Sequence, residues 1–201
     1  MKYIGYHITV VCLACAFMSC SHSKKFSNTY YQENAPLFQS VRSQYKQLYE
    51  EHPFSVGIKD KAYQHMTFEI ITDTIKYIYE FDTDEPRLID TLTKYHFDVP
   101  GIVRLLNDMQ RLHVTWITNL DYYENMNKKY LVFISIRHKD LKAFMRAEKY
   151  FTVACFDEKQ HFDVRGRLLD NEDSKRFHRI NGALFRRITD RVFYSMSAHF
   201  R

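Results

Sequence analysis

The chain has 201 residues, 45% hydrophobic and 26% charged, with 5 Gly, 4 Pro and a formal net charge of +5. That balance describes one globular domain with a self-sufficient core, and it excludes collagen-like, low-complexity and disulfide-scaffold classes. The basic residues between Arg165 and Arg191 alternate with Asp and Glu and form no clustered basic face, so no nucleic-acid partner is expected.

The first segment runs from Met1 to Cys20. Lys2 is its one Lys or Arg, and residues 8–18, ITVVCLACAFM, are uncharged and mostly apolar. A spanning helix needs about 20 such residues, so the run is too short to cross a membrane. A cationic start, a short apolar stretch and a small residue, here Ser19, make a secretory signal. The residues FMSC that close it resemble the lipobox of bacterial lipoproteins, with Phe17 where Leu is usual. The resemblance covers residues 1–20 only. It implies cleavage before Cys20 and acylation of that cysteine. Buried methylenes contribute about 0.8 kcal/mol each, and one chain alone binds only marginally, so two or three chains on Cys20 would form a firm membrane anchor. Ser21, in the same resemblance, fits delivery to the outer membrane of a Gram-negative-type envelope, and with no acidic run directly after Cys20 the expected position faces the periplasm.

Cysteine usage agrees. Cys12 and Cys15 leave with the signal and Cys20 is acylated, so Cys155 is left without an intramolecular partner. Its apolar setting, YFTVACF, predicts a buried thiol. Residues 1–19 are thus read as signal, 20–33 as the lipidated cysteine and a flexible polar tether, and 34–201 as a single globular domain. Fully extended, thirteen tether residues reach at most about 45 Å.

Within the domain, Asn34 and Pro36 open a helix with Phe38, Val41, Tyr45 and Leu48 on its apolar side, closed by Pro53. Residues 54–58 predict a short strand, and residues 65–82 a hairpin turning around Thr72–Thr74. DTDEP at 82–86 reads as a helix start, with Asp84 as cap, Glu85 at the positive end of the dipole and Pro86 in the first turn. Leu88, Leu92 and Tyr95 form its stripe. Asp98 and Pro100 open another helix with Ile102, Leu105, Leu106, Met109 and Leu112 inward. TWITNLDY alternates as a strand, and YYENMNKK reads as a polar connection with two exposed tyrosines. YLVFISI (130–136) and YFTVACF (150–156) are apolar on both faces and suit the middle of a sheet. An extended segment at 161–168, a helix lined by Phe177, Ile180, Leu184 and Ile188, and a terminal strand from Val192 complete the chain. The fold class is α+β, a mixed or largely antiparallel sheet of about six to eight strands with helices packed on it.

Chemistry is sparsely marked. HExxH, P-loop, GxGxxG and GxSxG patterns are absent from the sequence, so no catalytic, cofactor-binding or metal-binding residues are assigned and no cofactor is expected. The strongest constellation is DEKQHFD, where Asp157, His161 and Asp163 could do acid–base work or form a plain polar turn. His65 and His138 have no neighbours in sequence to make a ligand set. The expected function is a tethered, non-enzymatic binding or assembly module for a protein or glycan partner. The alternative is a tethered hydrolase using acidic residues and His.

Overall fold

In the computed structural model the described residues are 29–124, 127–137, 150–161 and 185–197. Cys20, Asp163, His138, most of the 161–168 segment and most of the last expected helix lie outside them. The chain divides into two units, Met1–Ala35 and Pro36–Arg201. In the first, residues 29–33 are helical, and Asn34 Nδ2 donates to the Tyr30 carbonyl at 2.9 Å. The tether expected over 20–33 is therefore helical at its end.

From Pro36 on, the second unit holds all but the first residue of α1 (Ala35–Glu51), which buries Phe38, Val41, Tyr45 and Leu48. These four recur every three or four residues, which is why one side of the helix finds the core. Strands β1 (Phe54–Ile58), β2 (His65–Ile71) and β3 (Lys76–Asp82) follow. Helices α2 (Pro86–Lys94) and α3 (Val99–Arg111) come next. The chain continues through β4 (Val114–Glu124), β5 (Asn127–Arg137) and β6 (Tyr150–Phe156) to β7 (Arg186–Arg187) and β8 (Val192–Ser197). Among the described residues the eight strands form one sheet in the order β3-β2-β1-β4-β5-β6-β8-β7. Every pairing in it is antiparallel. The α+β class and the antiparallel sheet are as the sequence predicts.

Register settles the faces, because cross-strand partners share a side. Val56 lies opposite Ile117, Ile117 opposite Ile134, and Ile134 opposite Val153. This is the face that meets the helices. Tyr45 Oη of α1 donates to the Phe54 carbonyl at 2.5 Å. Phe54 stacks on Phe68 with centroids 5.2 Å apart, and Phe97, between α2 and α3, meets both edge-on. Each such pair adds about 0.5–1.5 kcal/mol beyond the burial of its rings. The opposite face carries a second cluster of Tyr122, Leu131, Ala154, Phe156, Phe185 and Phe193. With apolar clusters on both sides, β6 buries all seven of its residues, as its continuous apolar sequence predicts.

The two helix starts differ. Asp98 caps α3 by accepting from Gly101 N at 3.1 Å. Gly101 has to be small: a Cβ there would collide with the Asp98 carboxylate and lie 2.9 Å from Leu48 Cδ2 of α1. At α2 the cap is Glu85 rather than Asp84, and its side chain makes no capping bond. Pro86 in the first turn has no N–H to satisfy, so a side-chain cap has less to do there.

Three further expectations need correction. The connection read from YYENMNKK is the paired end of a long hairpin, with Tyr122 opposite Lys129. Tyr122 is buried in the second cluster rather than exposed. The last helix cannot reach Ile188, because Arg186 and Arg187 pair with Tyr194 and Phe193 as β7. Tyr95 ends α2 as its C-cap and is only half-buried, its hydroxyl bonded to that of Tyr79 at 2.7 Å.

Candidate functional site

Among the described residues a broad concavity lies where the β1–β2 loop, the β3–α2 corner and α3 meet. Asp60 builds its first wall. Its carboxylate accepts from the backbone N–H of His65 at 2.9 Å, Gln64 at 3.0 Å and Ala62 at 3.2 Å. Slight burial pushes this carboxyl up, but the His65, Gln64 and Ala62 N–H groups outweigh it and hold the carboxyl below its usual range. A short Asp side chain organising the backbone ahead of it is a local, sequence-encoded device. It lets Tyr63 sit at φ 60, in the left-handed region that costs most residues energy. Thr83 then ties this loop to the next wall, its N–H donating to the Gln64 carbonyl at 2.8 Å and its hydroxyl to the Tyr63 carbonyl at 3.1 Å.

The resulting cleft encloses about 790 Å³. Ile58, Leu88, Val103 and Leu106 supply apolar surface, while Gln64, Asn107 and Gln110 supply amides. Asp82, Asp84 and Glu85 are its charged residues, and Lys and Arg are absent from its lining. The field inside therefore favours neutral or cationic groups over anions. Apolar walls with a few polar groups are the usual make-up of a ligand seat.

These carboxylates do not converge. Asp82 Oδ1 lies 2.5 Å from His65 Nδ1, both side chains being more than half exposed. Glu85 pairs with Arg87 and accepts from Asp82 N at 3.3 Å. Asp84 is exposed. Among the described residues no group of three His, Cys, Asp or Glu is placed to hold a metal ion. The arrangement suits hydrogen-bonded recognition.

The constellation at 157–163 has a different use. Asp157 Oδ1 accepts from Arg42 Nη2 at 2.7 Å, and Oδ2 from Lys46 Nζ at 2.8 Å. Arg42 Nη2 also donates to the Phe156 carbonyl at 2.9 Å. Asp157 thus fastens α1 to the end of β6, both oxygens engaged by cations. Glu158 pairs with Lys129, and His161 is exposed at the end of the bend. Asp163 lies outside the described residues. Beside Asp157 is a smaller cavity of about 260 Å³, lined by Tyr49, Asn119 and Tyr130 among others. Cys155 is 3% exposed, and burial pushes its thiol up to about 12, which keeps it protonated and unreactive.

Sequence reasoning read Asp84 and Glu85 as the start of a helix rather than as part of a cleft, and it missed Tyr63, Gln64, Asn107 and Gln110. The available signal was Asp60, a short acceptor before a loop of small and polar residues.

No family model matches the chain, and no curated protein or solved structure matches it either.

Proposed function

We propose that the protein is an envelope lipoprotein, held on the outer membrane by acyl chains on Cys20 and facing the periplasm, whose domain is a non-enzymatic binding module. The observation that carries the binding role is the cleft between the Asp60 loop, α2 and α3, with apolar walls, three amides and only acidic charge. Its partner class is a protein segment or glycan offering neutral or cationic groups. The anchor is supported by the apolar run ending in Ser19–Cys20. No helix among the described residues is long and apolar enough to cross a membrane.

Two measurements test the two halves separately. Intact mass of the membrane form should exceed the chain from Cys20 by two or three acyl groups, and Cys20→Ala should release the protein to the soluble fraction. An unmodified mass starting beyond Cys20 would refute the anchor. For the cleft, muropeptides, a lysine-rich peptide and a glutamate-rich peptide are titrated against isotope-labelled protein. Shifts confined to Asn107, Gln110 and Gln64 with the first two probes are expected. Preference for the glutamate-rich peptide, or no shift with any probe, would sink the binding assignment.

A further inference from the structure

Among the described residues the strand order ends at β3, and half of that edge is left open. The hydrogen-bonding phase of the β2–β3 ladder is fixed at both ends. Thr72 N donates to the Ile75 carbonyl at 3.0 Å, and Thr83 N to the Gln64 carbonyl at 2.8 Å. Antiparallel pairs alternate between bonded and non-bonded. Tyr77, Tyr79 and Phe81 therefore spend their backbone groups on β2, while Lys76, Ile78, Glu80 and Asp82 direct theirs outward. The far half of this outward row is already covered. Arg87 Nη2 donates to the Glu80 carbonyl at 3.1 Å, Glu85 Oε2 accepts from Asp82 N at 3.3 Å, and Glu85 N donates to the Asp82 carbonyl at 3.0 Å. The N–H and C=O of Lys76 and Ile78 and the N–H of Glu80 face the open edge.

The side chains around these open groups are apolar and exposed, Ile75 to 53%, Tyr77 to 40% and Ile78 to 59%. Natural sheets blunt or cover such an edge because it templates pairing with another chain. Here side chains at the start of α2 do so at one end only.

We infer that β3 pairs with β3 of a second copy of this chain, antiparallel about a two-fold axis at Ile78, joining the two sheets into one. Three registers come into question. An axis at Tyr79 sets Lys76 against Asp82, whose backbone groups Glu85 already occupies. An axis at Tyr77 sets Lys76 against Ile78 and matches no charges. With the axis at Ile78, all five open groups find partners. Ile78 bonds the partner's Ile78 in both directions, and Glu80 N meets the partner's Lys76 carbonyl. Lys76 N meets the partner's Glu80 carbonyl, whose second lone pair is free for it. On one face the most exposed apolar side chain meets its own copy, and Lys76 stands opposite the partner's Glu80. Lys76 already lies 3.3 Å from Glu69 in its own chain, so the ammonium comes to sit between two carboxylates. The contact is isologous and closes, so it stops at two chains. It does not depend on the lipid on Cys20 or on the cleft.

The test uses the full chain in detergent. Bonded antiparallel partners have Cα atoms about 5.5 Å apart, within disulfide reach, so Ile78→Cys should form a linked dimer with diamide. Lys76→Cys alone should not, while a mixture of Lys76→Cys and Glu80→Cys chains should. Lys76→Glu or Glu80→Lys should weaken the dimer by roughly tenfold, because each sets two like-charge pairs across the axis. The double reversal should recover part of the loss, because it restores the pairs across the axis while setting like charges against Glu69 and Lys59 within each chain, and that recovery also shows that the variants fold. An Ile78→Cys chain that stays monomeric, a Lys76→Cys chain that cross-links to itself, or cross-linking of the Ile78→Cys chain to a different protein would each overturn the proposal.

Discussion

Strands β6 and β3 have seven residues each and belong to one sheet, yet β6 buries all of its residues and β3 buries Phe81 alone. Both are rich in Tyr, Phe and β-branched residues, so strand propensity does not separate them. Position does. β6 is paired on both sides and lies between two apolar clusters, whereas among the described residues β3 has one neighbour and ends the sheet. Apolar residues in the first place hold the domain together. In the second, the same kinds of side chain are left over for something outside it, and the cleft and the open edge both occur at this end.

The contrast can be broken most directly by truncation. Phe156→Ala, in the second cluster, should cost about 3–5 kcal/mol. Ile78→Ala, measured at a dilution where chains are monomeric, should stay within about 0.5 kcal/mol. Urea midpoints at constant m-value read both, and similar costs would abolish the distinction between the two strands. A second effect appears in alkali. The Cys155 thiol rises from its ordinary 9.0 to about 12 in the native state. Between those values the unfolded chain has lost a proton that the folded chain keeps, so stability falls as pH rises, at about 1.4 kcal/mol per pH unit for this group. Cys155→Ala should flatten that slope. Tyr45, raised well above its usual value by burial, adds a decline of the same sign at higher pH. The smallest effect is polar. Asp157→Asn removes a half-exposed tie between α1 and β6 and should cost about 0.5–1 kcal/mol, with partial loss of the effect in high salt. Glu80→Gln on β3 should be near neutral in monomeric chains, and a thermal melt series compares the two.

Where the sequence was legible, neighbours along the chain carried the information. Phe38, Val41, Tyr45 and Leu48 announce the buried side of α1 by spacing alone. The unbroken apolar runs of β5 and β6 announce a central place, and Asp98 announces the start of α3. Where it was not, the deciding partner is remote. Asp157 looks like part of a catalytic trio until Arg42, 115 positions away, takes its carboxylate. Tyr122 looks exposed among polar neighbours, but Phe156 of β6 lies 5.2 Å from it across the sheet. The cleft needed three separate segments to come together. Its carboxylates were visible as a string, while their divergence could be seen only in three dimensions.

The strand order also sets a timetable. Most neighbours in the sheet are consecutive in the chain, and β4 finds β1 already made, so pairing from β1 through β6 can follow synthesis or export closely. The order breaks at β8, which lies between β6 and β7 and accepts both of their free edges. β7 pairs with β8 alone, so it has no seat until the later strand arrives. Until then β6, the most apolar strand, has an unsatisfied flank. Non-local pairing of this kind is slow, and it exposes a chain to off-pathway association while it waits. Keeping that flank of β6 open until Val192–Ser197 emerges is the step at which a chaperone would have most to protect.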